Sequence, residues 1–178
     1  MKICVSGSKG KMGSRIIELS KDDKELELAG SFDVGDEAEG QVALSDCLIE
    51  FTSPEATMAA IEKFKKNKNF ILICGGTNKE LKFEKLAKKI ARDVRPENLF
   101  LLEGSATDLL LKSLNPIMPN GTQIPYENLD EIMDVISQEF DAATIVFSPG
   151  CASFEKFKNE FDRGQTFNRL VRKYFIEK

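Results

Sequence analysis

Lys2-Ile3-Cys4-Val5-Ser6-Gly7-Ser8-Lys9-Gly10-Lys11-Met12-Gly13 is the stretch that decides the fold. Its first five residues make a short apolar run, the kind that fills a buried parallel strand. The next seven read G-x-x-G-x-x-G. Glycines at that spacing let the chain turn tightly out of a strand. They also bring backbone N–H groups to the start of a helix, where a pyrophosphate can meet them. A helix is expected over 11–22, with Met12, Ile16, Ile17 and Leu19 as its apolar stripe. A second strand is expected over 26–32, and Asp33 follows it, 20 residues after Gly13. An acid there can accept a hydrogen bond from an adenosine ribose. Any doubly wound domain needs a tight first turn, so glycines alone do not separate a bare turn from a cofactor loop. Strand, helix and acid together point to a cofactor site made of Gly7, Lys9, Gly10, Lys11, Met12, Gly13 and Asp33. Lys9 and Lys11 either favour the extra phosphate of NADP or are simply exposed.

Outward from this unit, short β runs keep alternating with helical stretches. Residues 33–46 read as an acidic, glycine-rich loop and 47–52 as a third strand. Ser53-Pro54-Glu55 is a strong helix start, with serine at the cap, proline in the first turn and an acid beside it. That helix shows Met58, Ile61 and Phe64 on one face. A fourth strand is expected over 70–74, stopped by Gly75-Gly76. A lysine-rich helix over 80–93 turns Leu81, Leu86 and Ile90 inward, and a fifth strand covers 99–102. Helices follow over 106–114 and 128–139. The irregular stretch 115–125 between them has Thr122-Gln123-Ile124 as a candidate edge strand. A last strand covers 144–147, and from 152 onward the pattern is helical, broken near Gly164. This alternation defines the α/β class. The expectation is a single doubly wound, Rossmann-like three-layer αβα domain over 1–178, with a mostly parallel sheet of about six strands. The expected strand order is 2-1-3-4-5-6.

Composition narrows the function. A chain of 178 residues with a net charge of -4 argues against nucleic acid as the main partner. It holds no run of about 18 apolar residues, so no membrane span is expected. Met1-Lys2 leads directly into a strand, which leaves no room for a signal peptide and suggests a cytoplasmic protein. There is no histidine, which removes the commonest general base and the commonest metal ligand together. Cys4, Cys47, Cys74 and Cys151 are far apart in apolar surroundings and read as small buried hydrophobes. No metal site is expected. No obligate protein partner is evident, and the chain is expected to be a monomer or a weak homodimer.

A second cluster gathers at the carboxyl edge of the expected sheet. It comprises Phe51-Thr52 after the third strand and Gly75-Gly76-Thr77-Asn78-Lys79 after the fourth. Ser148-Pro149-Gly150-Cys151-Ala152-Ser153 follows the sixth strand. Open α/β sheets bind ligands at that edge. Lys79 is a candidate carboxylate or phosphate contact, with the hydroxyls of Thr52 and Ser153 beside it. Taken singly, each also reads as a helix cap or a surface lysine.

Two resemblances run through these residues. From 1 to about 52 the chain resembles the N-terminal NAD(P)-binding domain of the 4-hydroxy-tetrahydrodipicolinate (dihydrodipicolinate) reductases of lysine biosynthesis. The carriers are residues 2–13, Leu26-Glu27-Leu28-Ala29-Gly30 and Leu48-Ile49-Glu50-Phe51-Thr52-Ser53-Pro54-Glu55. The resemblance implies NAD(P) bound by the glycine loop and Asp33, with Phe51 and Thr52 on the nicotinamide side. From about 53 to 178 the chain resembles the C-terminal domain of a Mur ligase of peptidoglycan biosynthesis, UDP-N-acetylmuramoylalanine–D-glutamate ligase. The carriers are Ile71-Leu72-Ile73-Cys74-Gly75-Gly76-Thr77-Asn78-Lys79 and Phe100-Leu101-Leu102-Glu103-Gly104-Ser105-Ala106-Thr107, followed by Phe147-Ser148-Pro149-Gly150-Cys151-Ala152-Ser153-Phe154. That resemblance implies a D-glutamate site at Thr52, Lys79, Ser153 and Phe154. The family often reads N-F-E where this chain has Asn159-Glu160-Phe161.

Together the two resemblances imply an engineered recombination chimera, split into halves 1–52 and 53–178. No catalytic residue is expected, because neither parent's catalytic set is complete. NAD(P) is the cofactor that the first half would retain. The alternatives are a dinucleotide-binding module, or a D-glutamate-presenting domain of the ligase type.

Overall fold

A computed structural model describes residues 2–33, 36, 41, 44–45, 47–49, 54–67, 69–78, 82–118, 124–149 and 156–176. Six parallel strands form one sheet: β1 Lys2–Ser6, β2 Glu27–Phe32, β3 Cys47–Ile49, β4 Phe70–Gly75, β5 Leu99–Leu102 and β6 Thr144–Phe147. The described helices are α1 Lys11–Lys21, α2 Pro54–Phe64, α3 Glu84–Asp93, α4 Ser105–Leu114, α5 Leu129–Glu139 and α6 Glu160–Val171. A π-helical turn, Arg172–Ile176, follows α6.

Period-two alternation along the strands builds two cores, one on each face of the sheet. Cys4, Leu48, Leu72, Leu101 and Val146 point to the face covered by α2, α3 and α4. Ile3, Val5, Ile49, Ile71, Ile73 and Phe147 point to the other face, against α1, α5 and α6. The three-layer doubly wound class expected from the sequence is the observed one. Cys4 and Cys74 are buried, and burial pushes the Cys4 thiol up to about 11, so it behaves as a small hydrophobe. Cys151 and the Cys47 side chain lie outside the described residues.

The strand order differs from the expected one. It is β2-β1-β3-β6-β4-β5, with β6 inserted between β3 and β4. β3 pairs with β6 through Cys47↔Ile145, Leu48↔Val146 and Ile49↔Phe147, and β4 takes the other side of β6. β5 and β6 are both buried, so the reason lies in the backbone: the outer flank of β5 finds a partner in Tyr126, while β6 has strands to bond on both sides. β5 takes the edge instead, and Tyr126 covers part of it. Tyr126 donates its N–H to the Leu101 carbonyl at 2.8 Å, and Glu103 donates to the Tyr126 carbonyl at 2.9 Å. The expected edge strand at 122–124 is not the one that pairs: Ile124 is outside any strand, the isolated bridge falls at Tyr126, and 122 and 123 lie outside the described residues.

Two helix expectations also shift. The helix expected from residue 80 begins at Glu84, with Leu81 outside the described residues. The expected break near Gly164 does not occur, because α6 runs through it. The Asn159 side chain caps this helix by accepting the Asp162 N–H at 2.9 Å. Phe167, Leu170 and Val171 then bury its far end in the core. A mid-helix glycine costs about 1 kcal/mol, less than those burials return.

Between α2 and α3 lies an ion-pair network. Glu62 meets Lys65 at 2.6 Å and also Lys89, and Lys89 reaches Asp93 at 2.7 Å. Arg92 grips Asp93 with two hydrogen bonds, at 3.1 and 2.9 Å. These bonds from Arg92, and then the one from Lys89, hold the Asp93 carboxyl far below its ordinary value. A depressed carboxyl contributes stability that is present above its unfolded value and lost as pH falls through the folded one. Asp93→Asn is thus expected to destabilise at about pH 7 and to cost much less at about pH 2. Urea melts of both proteins at the two pH values check this, and an equal penalty at both would contradict it.

Candidate functional site

The strand order places two reversals at the carboxyl edge of the sheet. The chain leaves β1 for β2 on one side and returns to β3 on the other. The same happens around β4, flanked by β5 and β6. Ligand crevices of open α/β sheets open at such reversals.

At the first reversal the glycine loop is tied to the end of β2. Gly7 and Ser8 both donate their N–H groups to the Phe32 carbonyl, at 2.9 and 3.2 Å. Gly10 donates to the Gly7 carbonyl at 3.0 Å, closing the turn. Gly7 has φ of +73°, a conformation that L side chains rarely adopt. Gly13 is buried against this turn, and a Cβ on it would lie 2.2 Å from the Gly7 carbonyl oxygen. The helix α1 starts at Gly10 with no side-chain cap and no acid in its first turn. Its first N–H groups and its dipole thus face the crevice with no carboxylate of their own first turn against them.

Asp33 completes the corner. Its Oδ2 accepts the Lys9 N–H at 2.8 Å, and its own N–H donates to Asp36 Oδ2 at 2.9 Å. The Lys9 ammonium lies 3.4 Å from the same Asp36 oxygen. The structure therefore brings together Gly7, Lys9, Gly10, Lys11, Met12, Gly13 and Asp33, with Lys11 exposed on the first turn of α1 and Met12 half-buried. Phe51 and Thr52 lie outside the described residues. Asp36 was missed by the sequence reading. Its signal was available as an Asp three residues after Asp33, a spacing that closes a local turn.

At the second reversal the loops after β4 and β5 interlock. Gly76 donates its N–H to Thr107 Oγ1 at 3.2 Å, and its carbonyl accepts the Ala106 N–H at 2.8 Å. The Thr107 hydroxyl in turn donates to the Leu102 carbonyl at 2.5 Å. Gly75 donates to the Pro149 carbonyl at 3.1 Å, tying β4 to the segment after β6. A narrow crevice results, lined by Gly75, Gly76, Thr77, Lys156, Phe157 and Arg163. Arg163 is buried, and Lys156 pairs with Glu103 at 2.6 Å. Lys79, Ser153, Phe154 and Thr52, the positions matching a D-glutamate site, lie outside the described residues. Thr107 lies in the stretch 100–107 that carries the ligase resemblance, but the sequence assigns no role to it, nor to Lys156 or Arg163. Among the described residues no group of three or more Cys, Asp or Glu is placed to hold a metal. No described helix is long and apolar enough to cross a membrane.

A strand, a glycine turn stapled to the next parallel strand, an uncapped helix start and an acid at the strand end define a Rossmann-like α/β domain. Residues 1–96 match the family described as dihydrodipicolinate reductase, N-terminus, and the chain belongs to that family. It is also similar to curated UDP-N-acetylmuramoylalanine–D-glutamate ligases. The protein of Treponema pallidum (strain Nichols) is 40% identical over 129 residues, covering 70% of this chain and 22% of the ligase. That of Roseiflexus sp. (strain RS-1) is 37% identical over 127 residues, covering 69% of this chain and 26% of the ligase. The chain thus spans about a quarter of the length of the curated relatives it matches. The two matches together exceed the 178 residues, so they overlap. The reductase-type match also runs past residue 52, through α2, β4 and α3.

Proposed function

We propose that the chain is a dinucleotide-binding module, taking NAD(P) at the first reversal, in a sheet recombined from two lineages. The observation that carries the reading is the glycine loop held to β2 by the Phe32 carbonyl and Asp33, beside the open end of α1. The pyrophosphate would lie over residues 11–13, at the open start of α1, and Asp33 would accept from the adenosine ribose. The bound cofactor would supply hydride chemistry. This chain's own residues would bind and orient it, and the chain would bind without turnover. The sheet supports the recombination reading. Its first three strands lie together on one side and its last three on the other, joined by the β3–β6 ladder.

Titration with NADH, followed by calorimetry or cofactor fluorescence, tests the proposal. Saturable binding is expected, and Asp33→Ala should weaken it about tenfold, the value of one charge-assisted hydrogen bond. No binding at about millimolar NADH, a concentration where only interactions weaker than about 4 kcal/mol escape notice, would sink it.

A second reading is favoured by the crevice at β4, where two cations stand beside the Gly76 loop. The names of the relatives include D-glutamate, and a carboxylate suits Lys156 and Arg163. Chemical-shift changes of these residues on adding D-glutamate, absent with L-glutamate, would support it.

A further inference from the structure

Resting on the dinucleotide reading, the turn after β2 speaks to which dinucleotide enters. Lys9 and Lys11 are the cations that the sequence offers for a 2′-phosphate. The fold engages the first of them elsewhere. Asp36 turns back so that one carboxylate oxygen accepts the Asp33 N–H at 2.9 Å, while Asp36 donates its own N–H to the Asp33 carbonyl at 3.1 Å. The same oxygen lies 3.4 Å from the Lys9 ammonium. The Asp33 backbone N–H, and then Lys9, hold the Asp36 carboxyl below its ordinary value, so it is ionised at neutral pH. Lys63, at the same end of β2, lies over the Phe32 ring at 4.1 Å from its centre. Lys11 belongs to the first turn of α1, on the pyrophosphate side of the loop.

We infer that this corner selects NAD(H) over NADP(H), with Asp33 accepting from the ribose 2′-hydroxyl and Asp36 acting as the specificity residue that neutralises Lys9 and repels a 2′-phosphate. A hydroxyl can donate to Asp33. A phosphate monoester is acceptor-rich and carries about two negative charges near neutral pH. It would meet two fixed carboxylates, with its nearest cation already paired. The pair is exposed, so its attraction is modest, and discrimination comes from the repulsion and the lost donor.

The test is calorimetric titration of the whole chain with NADH and NADPH under one buffer and salt. NADH is expected to bind at least about tenfold more tightly. Asp36→Ala should raise NADPH affinity about tenfold by releasing Lys9. Asp36→Asn, which keeps an oxygen for the Asp33 N–H but no charge, should do the same and separates charge from turn geometry. Equal affinities, tighter NADPH, or a ratio unmoved in both variants would overturn the inference while leaving the dinucleotide reading intact. Binding of neither cofactor would overturn both. The wild-type ratio decides even if a variant fails to fold.

Discussion

Phe147→Ala is expected to lower the unfolding free energy by about 3–5 kcal/mol, enough to leave a domain of ordinary stability barely folded. Phe147 closes β6, is 1% exposed, and stacks on Phe167 of α6 with ring centres 4.6 Å apart. It pairs with Ile49 of β3 on one side and Ile73 of β4 on the other. Truncation therefore opens a cavity where both sheet halves and the covering helix meet. Stiff strands on both sides limit collapse into that space, which places the cost in the upper part of the range for such changes. The value also reads the topology. At the edge of a sheet in the order 2-1-3-4-5-6, the same side chain would have one strand neighbour and the loss would be smaller. Urea denaturation of the variant against wild type decides, with Ile124→Ala, 82% exposed, as the comparison expected to stay within about 0.5 kcal/mol. A penalty under about 1.5 kcal/mol for Phe147→Ala would argue that β6 is not the central strand.

That example shows where the sequence was readable. β5 and β6 are runs of apolar residues closed by a turn signal and keep their expected limits, and α4 and α5 move by a single residue. These features are local. Strand order is not local, because both the observed and the expected order use the same runs and loops. Burial does not separate them, because Leu99–Leu102 at the edge is buried as fully as Phe70–Gly75 and Ile145–Phe147; what does is the partner each outer backbone finds, Tyr126 for β5 and a strand on each side for β6. Gly164 shows the same limit from the other direction. Its propensity argued for a break, and packing of Phe167 and Leu170 outweighed it.

The candidate site divides along the same line. Gly7, Gly10, Gly13 and Asp33 were legible because turn geometry and spacing demand those residue types there. Thr107 and the pairing of Asp36 with Lys9 were not, because they rest on partners that only the folded chain brings close, although the turn from Asp33 to Asp36 is itself local. Thr107 bridges the Gly76 N–H after β4 and the Leu102 carbonyl at the end of β5, groups that lie far apart in sequence. A buried threonine has several uses, and nothing in its neighbours names this one. Lys9 looked like a phosphate ligand from its loop position alone, and the Asp36 carboxylate beside it changes what that charge can do.

Gly13→Ala should cut NADH affinity by about a hundredfold and cost about 1–3 kcal/mol of stability. The added Cβ would lie 2.2 Å from the Gly7 oxygen, 2.7 Å from the Gly7 carbonyl carbon and 2.8 Å from Ser8 Cα. All three are backbone atoms, so no side-chain rotation relieves the contact. Either α1 tilts away or the loop lifts. Lifting breaks the bonds from Gly7 and Ser8 to the Phe32 carbonyl and the bond from Lys9 to Asp33 together. The N–H groups meant for the pyrophosphate then lose their common direction, and the ribose acceptor loses its place beside the loop. Gly10→Ala is the matched comparison. Its Cβ would sit 3.2 Å from the Gly7 oxygen, on a backbone with φ of −78° that any residue adopts. Both losses should be far smaller there. Thermal melts and NADH titrations of the two variants rank them, and a Gly13→Ala protein that folds and binds within about threefold of wild type would show that the loop does not cradle the cofactor.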